Sequence, residues 1–149
     1  DYSPGTVKPL AFNGHDLGVL ICYEAIFPEI ARDYVNNGSD LLVNLTNDAW
    51  FGRSSAPRQL LDMTRMRAIE NRIWIARAAN TGISALIAPD GQAYNETSLF
   101  EATYVSGSVD IGSRSSLYLR IGDIFPRICM LLATCSLIRL WFVRRKNHS

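Results

Sequence analysis

Cys22 is the residue of this sequence best suited to act as a nucleophile. Four of the five residues at 17–21 are apolar, which predicts a short buried strand, and the polarity changes immediately afterwards at Tyr23 and Glu24. A proline and a glutamate at positions 28 and 29 then suit the first turn of a helix. A thiol on such a sharp strand-to-helix turn would lie within reach of a substrate carbonyl. The alternative is that Cys22 is a small, buried apolar side chain.

Carboxylates are the side chains that could assist this thiol. A thiolate nucleophile needs a base or a lowered pKa, and the oxyanion formed on the substrate needs hydrogen-bond donors. His15 and His148 are poorly placed in the sequence to pair with Cys22, whereas Glu24 and Glu29 are close to it. No His or Cys residues near Cys22 have the spacing of metal ligands, so we expect no metal site.

A second group of residues with chemical potential is the hexapeptide Asn-Asp-Ala-Trp-Phe-Gly at 47–52. It follows an apolar run at 41–45 that predicts another buried strand, and residues 27–35 between the two strands have helical spacing. Parallel strands joined by a helix place their C-terminal ends at one edge of a sheet, so Cys22 and the loop 46–52 should meet there. One possibility is that the two aromatic rings of this loop belong to the core. We expect instead that four residues of the loop bind substrate: Asn47, Asp48, Trp50 and Phe51.

The remaining patterns predict one more helix and further strands. The dipeptide Asn13-Gly14 favours a tight hairpin ahead of the Cys22 strand. Residues 56–71 have the spacing of a helix, and we expect Arg58, Arg65 and Arg72 to form a solvent or interface face rather than a phosphate site. We further predict a strand pair at 73–78 and 83–88, and an edge strand at 104–111.

The composition indicates one modest domain with no affinity for nucleic acid. The 149 residues are 48% hydrophobic and carry a formal net charge of +1. The three cysteines, Cys22, Cys129 and Cys135, lack the spacing of a disulfide framework. The first residues do not have the pattern of a signal sequence, and we expect the opening Asp-Tyr-Ser-Pro-Gly to come from the interior of a longer protein.

The C-terminal segment predicts a membrane helix at 124–143. At about 1.5 Å of rise per residue, this segment would span about 30 Å of hydrocarbon. Arg127 and Arg139 lie near its ends and could reach the interface, and Trp141-Phe142 followed by three basic residues is typical of an interfacial anchor. The uncharged centre at 128–138 is short enough to suit a buried core helix as well.

Several motifs together resemble a known family. They are Ile-Cys-Tyr-Glu at 21–24, Asn-Asp-Ala-Trp-Phe-Gly at 47–52, Met-Arg-Ala-Ile-Glu at 66–70, Asn-Thr-Gly-Ile-Ser at 80–84 and Pro-Asp-Gly-Gln at 89–92. In this order they resemble the carbon–nitrogen hydrolase (nitrilase) superfamily, and within it most closely the bacterial apolipoprotein N-acyltransferases. The resemblance covers essentially the whole chain.

The resemblance implies an α/β fold, the C-terminal half of a nitrilase-type α-β-β-α sandwich, followed by one transmembrane helix. The implied organisation is a partial hydrolase domain at 1–112, a connector at 113–123, the membrane helix at 124–143 and a basic cytoplasmic tail at 144–149. The family's catalytic Glu base and Lys would come from segments upstream of this chain. The implied location is the bacterial inner membrane, with the catalytic domain in the periplasm.

The implied reaction transfers a fatty acyl chain from a phospholipid to the N-terminal amine of a diacylglyceryl-cysteine lipoprotein. Cys22 would be the nucleophile, the Tyr23 backbone N–H would help hold the oxyanion, and Glu24 would orient the base and the lysine. Glu24 could instead be a simple charge at the helix entry. The loop 47–52 would lie by the lipid-entry portal, and no cofactor or metal would be needed. Two alternatives are a soluble nitrilase-type amidase acting on small substrates and an inactive membrane-anchored fragment.

Overall fold

The computed structural model describes residues 7–112 and 115–146, without the side chains of residue 140 and residues 142–146. The described residues divide into two compact units, one running to Leu119 and the other beginning at Arg120. The first unit contains the whole of the sheet, and the second is mainly helical.

The first unit is built on one mixed sheet whose six strands lie side by side in chain order. The second, third and fourth strands are parallel to one another, and the outer pairings are antiparallel. The strands are β1 (Leu10–Phe12), β2 (His15–Ile21), β3 (Leu41–Asn47), β4 (Ile75–Asn80), β5 (Ala85–Ile87) and β6 (Ala93–Tyr94). This arrangement confirms the predicted α/β class.

The predicted hairpin joins β1 to β2. Asn13 and Gly14 have φ values of 49° and 80°, the left-handed pair that a two-residue turn of this kind requires. The turn sets the register in which Phe12 lies opposite His15. Register matters here because a slip of one residue would move every β2 side chain to the other face.

Helices make the two crossovers between the parallel strands. Helix α1 (Pro28–Asn36) connects β2 to β3, and α2 (Ala56–Asn71) connects β3 to β4. A 3-10 turn precedes each helix, at Cys22–Ile26 and at Ala49–Phe51. The predicted βαβ unit is therefore confirmed, and a second one, with β4 parallel to β3, follows it.

The core lies between one face of the sheet and the two helices. The strands contribute buried residues such as Leu20, Leu42 and Ile75, and the helices contribute others such as Ala31 and Leu61. Burial alternates along β3, as expected for a strand that packs helices on one face only. On the other face, Ile21 and Leu45 are 52% and 45% exposed.

The predicted edge strand at 104–111 is wrong. Within the described residues the sixth strand is Ala93–Tyr94, and 104–111 is irregular backbone. The hydrogen bonds in and directly after this segment are not those of a strand pairing: the Asn95 side chain donates to the Ser106 carbonyl at 3.1 Å, and the N–H of the following Gly112 donates to the Asp40 carbonyl at 3.0 Å. The alternation of small polar residues at 104–111 therefore does not reflect pairing in a sheet.

The second unit consists mainly of helix α4 (Ile124–Lys146), which includes the residues of the membrane helix predicted at 124–143. A short helix, α3 (Leu117–Ile121), lies inside the predicted connector, of which residues 113 and 114 are outside the described part. Residues 147–149 of the predicted tail are also outside it. No helix in the described ranges has the length and apolar character needed to cross a membrane, so the span predicted at 124–143 is not confirmed.

Candidate active site

Cys22 sits on a strained turn between β2 and α1. Its φ is 51°, in the left-handed region that non-glycine residues seldom adopt, and the 3-10 turn Cys22–Ile26 begins at this residue. Residues held in such conformations cluster at active sites, where the surrounding structure fixes them. The backbone thus forms the strand-to-helix elbow predicted for a nucleophile.

The Glu24 side chain bonds back to the last residue of β2, at the start of this turn. Its carboxylate accepts a hydrogen bond from the Ile21 backbone N–H at 2.7 Å. Burial, together with the charge of Glu24, raises the pKa of the nearby Tyr34 hydroxyl. Glu24 is therefore engaged with the backbone next to the thiol.

The loop after β3 reaches the same edge of the sheet. The Asn47 side chain accepts from Ala49 N–H at 3.2 Å and from the Asn80 amide at 3.3 Å, which ties the loop to the end of β4. The Tyr23 and Phe51 rings meet edge to face at 6.1 Å. Trp50 is 85% exposed, so it does not belong to the core.

A cavity of about 810 Å³ opens over this edge and brings several predicted site residues together. Cys22, Asn47 and Trp50 line it, and its floor is apolar because strand side chains such as Val43 and Leu45 face it. Its volume lies within the range of small-molecule sites. An apolar cavity beside a thiol suits a substrate with a hydrocarbon chain next to its carbonyl.

Asp48 lies beneath the loop. It is 1% exposed, its Oδ2 pairs with the Arg77 guanidinium at 2.9 Å, and its Oδ1 accepts from the Thr46 hydroxyl at 2.8 Å. The predicted contact between Asp48 and substrate therefore has no support in this position, because the carboxylate is already taken up by Arg77. Its position instead suits anchoring of the loop.

Arg77, on β4, is a residue of this site that the sequence motifs do not indicate. It is 4% exposed, and it donates to Asn44 Oδ1, to Thr64 Oγ1 at 3.3 Å and to the Ile83 carbonyl at 3.1 Å. Burial lowers the pKa of its guanidinium, while Asp48 and the charge of a Cys22 thiolate raise it. An arginine among alanines in the strand predicted at 73–78 was the signal that could have found it, since a charge that such a strand buries needs a partner.

Asn44 links this arginine to the Cys22 turn. Its amide donates to the Leu20 carbonyl at 3.1 Å and, at a longer 3.5 Å, to the Cys22 carbonyl.

Within the described ranges, no group of three or more His, Cys, Asp or Glu residues could hold a metal ion.

Comparison with known sequences identifies relatives that share most of this chain. A family model described as carbon-nitrogen hydrolase matches residues 2–118. An apolipoprotein N-acyltransferase of Geobacter metallireducens is 46% identical over 148 residues, 99% of this chain and 28% of that protein. One of Shewanella oneidensis is 36% identical over 136 residues, 91% of this chain and 25% of that protein. The chain thus spans about a quarter of the length of these relatives.

Solved structures share the fold. A carbon–nitrogen hydrolase from Helicobacter pylori has a TM-score of 0.55 at 17% identity, covering 65% of this chain and 42% of that one. An amidase from Nesterenkonia sp. AN1, with an acetamide moiety added covalently at its active-site cysteine, has a TM-score of 0.51 at 30% identity, covering 66% of this chain and 40% of that one. The mixed α/β sheet accordingly agrees with the predicted nitrilase-type fold, and the chain belongs to the carbon–nitrogen hydrolase family.

Proposed function

We propose that the protein is an N-acyltransferase that acylates the N-terminal amine of a diacylglyceryl-cysteine lipoprotein, with a phospholipid as the acyl donor. The observation that carries this proposal is the 46% identity to the Geobacter metallireducens apolipoprotein N-acyltransferase over 99% of the chain. The apolar floor of the cavity beside Cys22 supports it, because a fatty acyl chain needs such a surface.

In the first step the Cys22 thiolate attacks the ester carbonyl of the phospholipid. The carbon–oxygen ester bond breaks, and the lysophospholipid leaves as an alcohol by taking up the proton that the Cys22 thiol gave to the base. The acyl chain remains on sulfur as a thioester. The Tyr23 backbone N–H helps to stabilise the oxyanion, a role that a donor at the start of the turn suits. Glu24 orients the base and the lysine that the family supplies from other segments.

In the second step the free α-amine of the lipoprotein attacks the thioester carbonyl. The carbon–sulfur bond breaks, an amide forms, and the proton lost by the amine ends on the returning Cys22 thiol. A thioester is suited to this exchange because amines attack it readily while an apolar site shelters it from water.

Trp50 and Phe51 contact the lipid as it enters. The support is the exposure of Trp50 at the rim of the cavity and the edge-to-face contact of Phe51 with Tyr23 beside the nucleophile. Asn47 contributes amide groups to the same wall.

We place this reaction at the periplasmic face of the bacterial inner membrane. The support is chemical, since both the acyl donor and the acceptor are lipids or lipid-linked. A reporter fused after Ser149 tests the orientation with a cytoplasmic C-terminus, because it should be active only if it functions in the cytoplasm.

Intact-mass analysis of the full-length protein tests the nucleophile directly. Incubation with phospholipid should add one acyl chain to the wild type and none to Cys22→Ala, while Cys129→Ser and Cys135→Ser should acylate normally. Equal acylation of the Cys22→Ala protein would refute the role given to Cys22.

Hydrolysis of small amides is a second candidate, favoured by the 30% identity to the Nesterenkonia amidase with its modified cysteine. It predicts release of ammonia from short aliphatic amides, without any need for lipid. Ammonia release that depends on Cys22, together with no transfer to a diacylated lipopeptide, would favour this candidate over the acyltransferase.

A further inference from the structure

A buried polar network lies beneath the Cys22 turn. Asn44 on β3, Asp48 just after β3 and Arg77 on β4 are 0%, 1% and 4% exposed. Strands flanked by others on both sides are normally apolar on a face that packs helices, because each buried polar group needs a partner to offset its lost hydration. A cluster of three buried polar side chains at this place therefore suggests a role beyond packing.

Arg77 fixes the orientation of the Asn44 amide. One of its terminal nitrogens donates to Asn44 Oδ1, and the other pairs with the Asp48 carboxylate at 2.9 Å. A guanidinium carries donors alone, so the oxygen of the Asn44 amide must face it and the amide nitrogen must face β2. The Asp48 carboxylate offsets the buried charge that this arrangement requires.

The amide nitrogen then reaches the backbone of the elbow. It donates to the Leu20 carbonyl at 3.1 Å and to the Cys22 carbonyl at 3.5 Å. Cys22 is the residue with a φ of 51°, so the hydrogen bond from the Asn44 amide to its carbonyl stabilises the strained conformation of the turn. Ile21 lies between Leu20 and Cys22, and its backbone N–H donates to the Glu24 carboxylate at 2.7 Å.

We propose that Asn44 is a positioning residue for the nucleophile: oriented by Arg77 and Asp48, it sets the backbone of the elbow and so directs the Cys22 thiol toward the substrate. Because Asp48 also lies under the Trp50 loop, the network couples the turn to the loop that contacts substrate. The inference rests on the proposed function only in taking Cys22 as the nucleophile.

The competing explanation is that the network merely stabilises the fold. Thr64 offers a matched comparison. Its buried hydroxyl also accepts a hydrogen bond from the Arg77 guanidinium, at 3.3 Å. That hydroxyl donates to the Leu60 carbonyl of its own helix, however, and not to the Cys22 turn. Thr64→Val removes a buried partner of Arg77 without touching the Cys22 turn. Asn44→Leu removes the partner and the contact with the turn together.

The experiment measures the rate at which iodoacetamide alkylates Cys22 in the full-length protein, with peptide mass mapping to assign the adduct to that cysteine. We expect Asn44→Leu to lower this rate and kcat by about tenfold or more, the scale set by small displacements of a reacting group, with KM changed by less than about twofold. Thr64→Val should keep a rate within about twofold of the wild type at a comparable loss of thermal stability.

Asn44→Asp keeps the acceptor for Arg77 and the shape of the side chain but removes the donor to the elbow, so it carries the test if Asn44→Leu does not fold. Near-wild-type alkylation of a folded Asn44 variant, or an equal loss in Thr64→Val, would overturn the proposal. Failure of both Asn44 variants to fold would also overturn it, since the amide would then be a requirement of the fold. Alkylation that depends on Asn44 in a protein that forms no acyl adduct would leave this inference standing and remove the proposed function.

Discussion

At the scale of single residues, the conformation of Cys22 has to be stabilised by its neighbours. A non-glycine residue at a φ of 51° costs on the order of 1–3 kcal/mol relative to relaxed backbone. The bonds from Ile21 to the Glu24 carboxylate and from the Asn44 amide to the Cys22 carbonyl hold this segment from two sides. Side chains beside the thiol thus shape the backbone that presents it.

Substitutions of Glu24 separate its backbone contact from its charge. Glu24→Gln keeps an acceptor for the Ile21 N–H, so we expect the thermal stability to stay close to that of the wild type while acyl transfer falls. Glu24→Ala should lose in addition about 0.5–1.5 kcal/mol of unfolding free energy, the value of one hydrogen bond. Thermal melts and single-turnover acylation measure the two effects.

Glu29 provides the matched control, because it is an exposed carboxylate in the first turn of α1. Glu29→Gln should leave acylation unchanged. Full activity of Glu24→Gln would show that the Glu24 charge has no part in the chemistry and that its role is confined to the turn.

At the scale of elements, Gly18 is a point of close approach between β2 and its neighbours α1 and β3. A Cβ at this position would lie 2.5 Å from Leu42 Cδ2 and 2.8 Å from Tyr34 Cβ. Both atoms belong to packed side chains, so Gly18→Ala must displace the helix or the neighbouring strand. We expect a loss of about 1–3 kcal/mol in unfolding free energy, typical of overpacking, measured from the urea midpoint. An unchanged midpoint would contradict the close packing of α1 on β2.

The elements that depend on local signals could be predicted from the sequence. Helix α2 was predicted with its observed bounds, and the turn at Asn13-Gly14 was predicted from its dipeptide. Arg77 could not be placed in the same way, because its partners Asp48 and Asn44 are 29 and 33 residues away in the chain. The edge strand predicted at 104–111 failed for a related reason: alternation is a local pattern, whereas pairing depends on which strand lies at the edge of the sheet.

The loop around Trp50 gives a prediction about substrate binding. Trp50 is 85% exposed, so Trp50→Ala should change the melting temperature little. If the indole contacts the lipid, KM for the phospholipid should rise severalfold while kcat stays nearly constant. The reason is that this contact would stabilise the bound substrate and the transition state equally. Tyr94→Ala is the comparison, an exposed aromatic on β6 that does not line the cavity. An unchanged KM in Trp50→Ala would place lipid entry elsewhere.

At the scale of the whole molecule, the sheet of the first unit is covered unequally. Helices α1 and α2 pack one face, while the face bearing the cavity leaves Ile21 and Leu45 52% and 45% exposed beside Cys22. Apolar surface of this kind is usually covered in a working protein. The Geobacter metallireducens relative, of which this chain covers 28%, has additional chain that could cover such a face.

We therefore predict that residues 1–149 expressed alone do not transfer acyl groups and aggregate outside detergent. There are two separate physical reasons. Ile21 and Leu45 leave apolar surface exposed in the part of the chain that the structure describes, and the family's Glu base and Lys are expected from other segments. Groups that act as one catalytic unit fail together, so loss of the base alone should abolish turnover even in a well-folded fragment. N-acylation of a diacylated lipopeptide by the purified fragment, compared with the full-length protein, measures this. Comparable turnover would mean that the base lies within residues 1–149, and Glu24 and Glu29 would then be the first carboxylates to substitute.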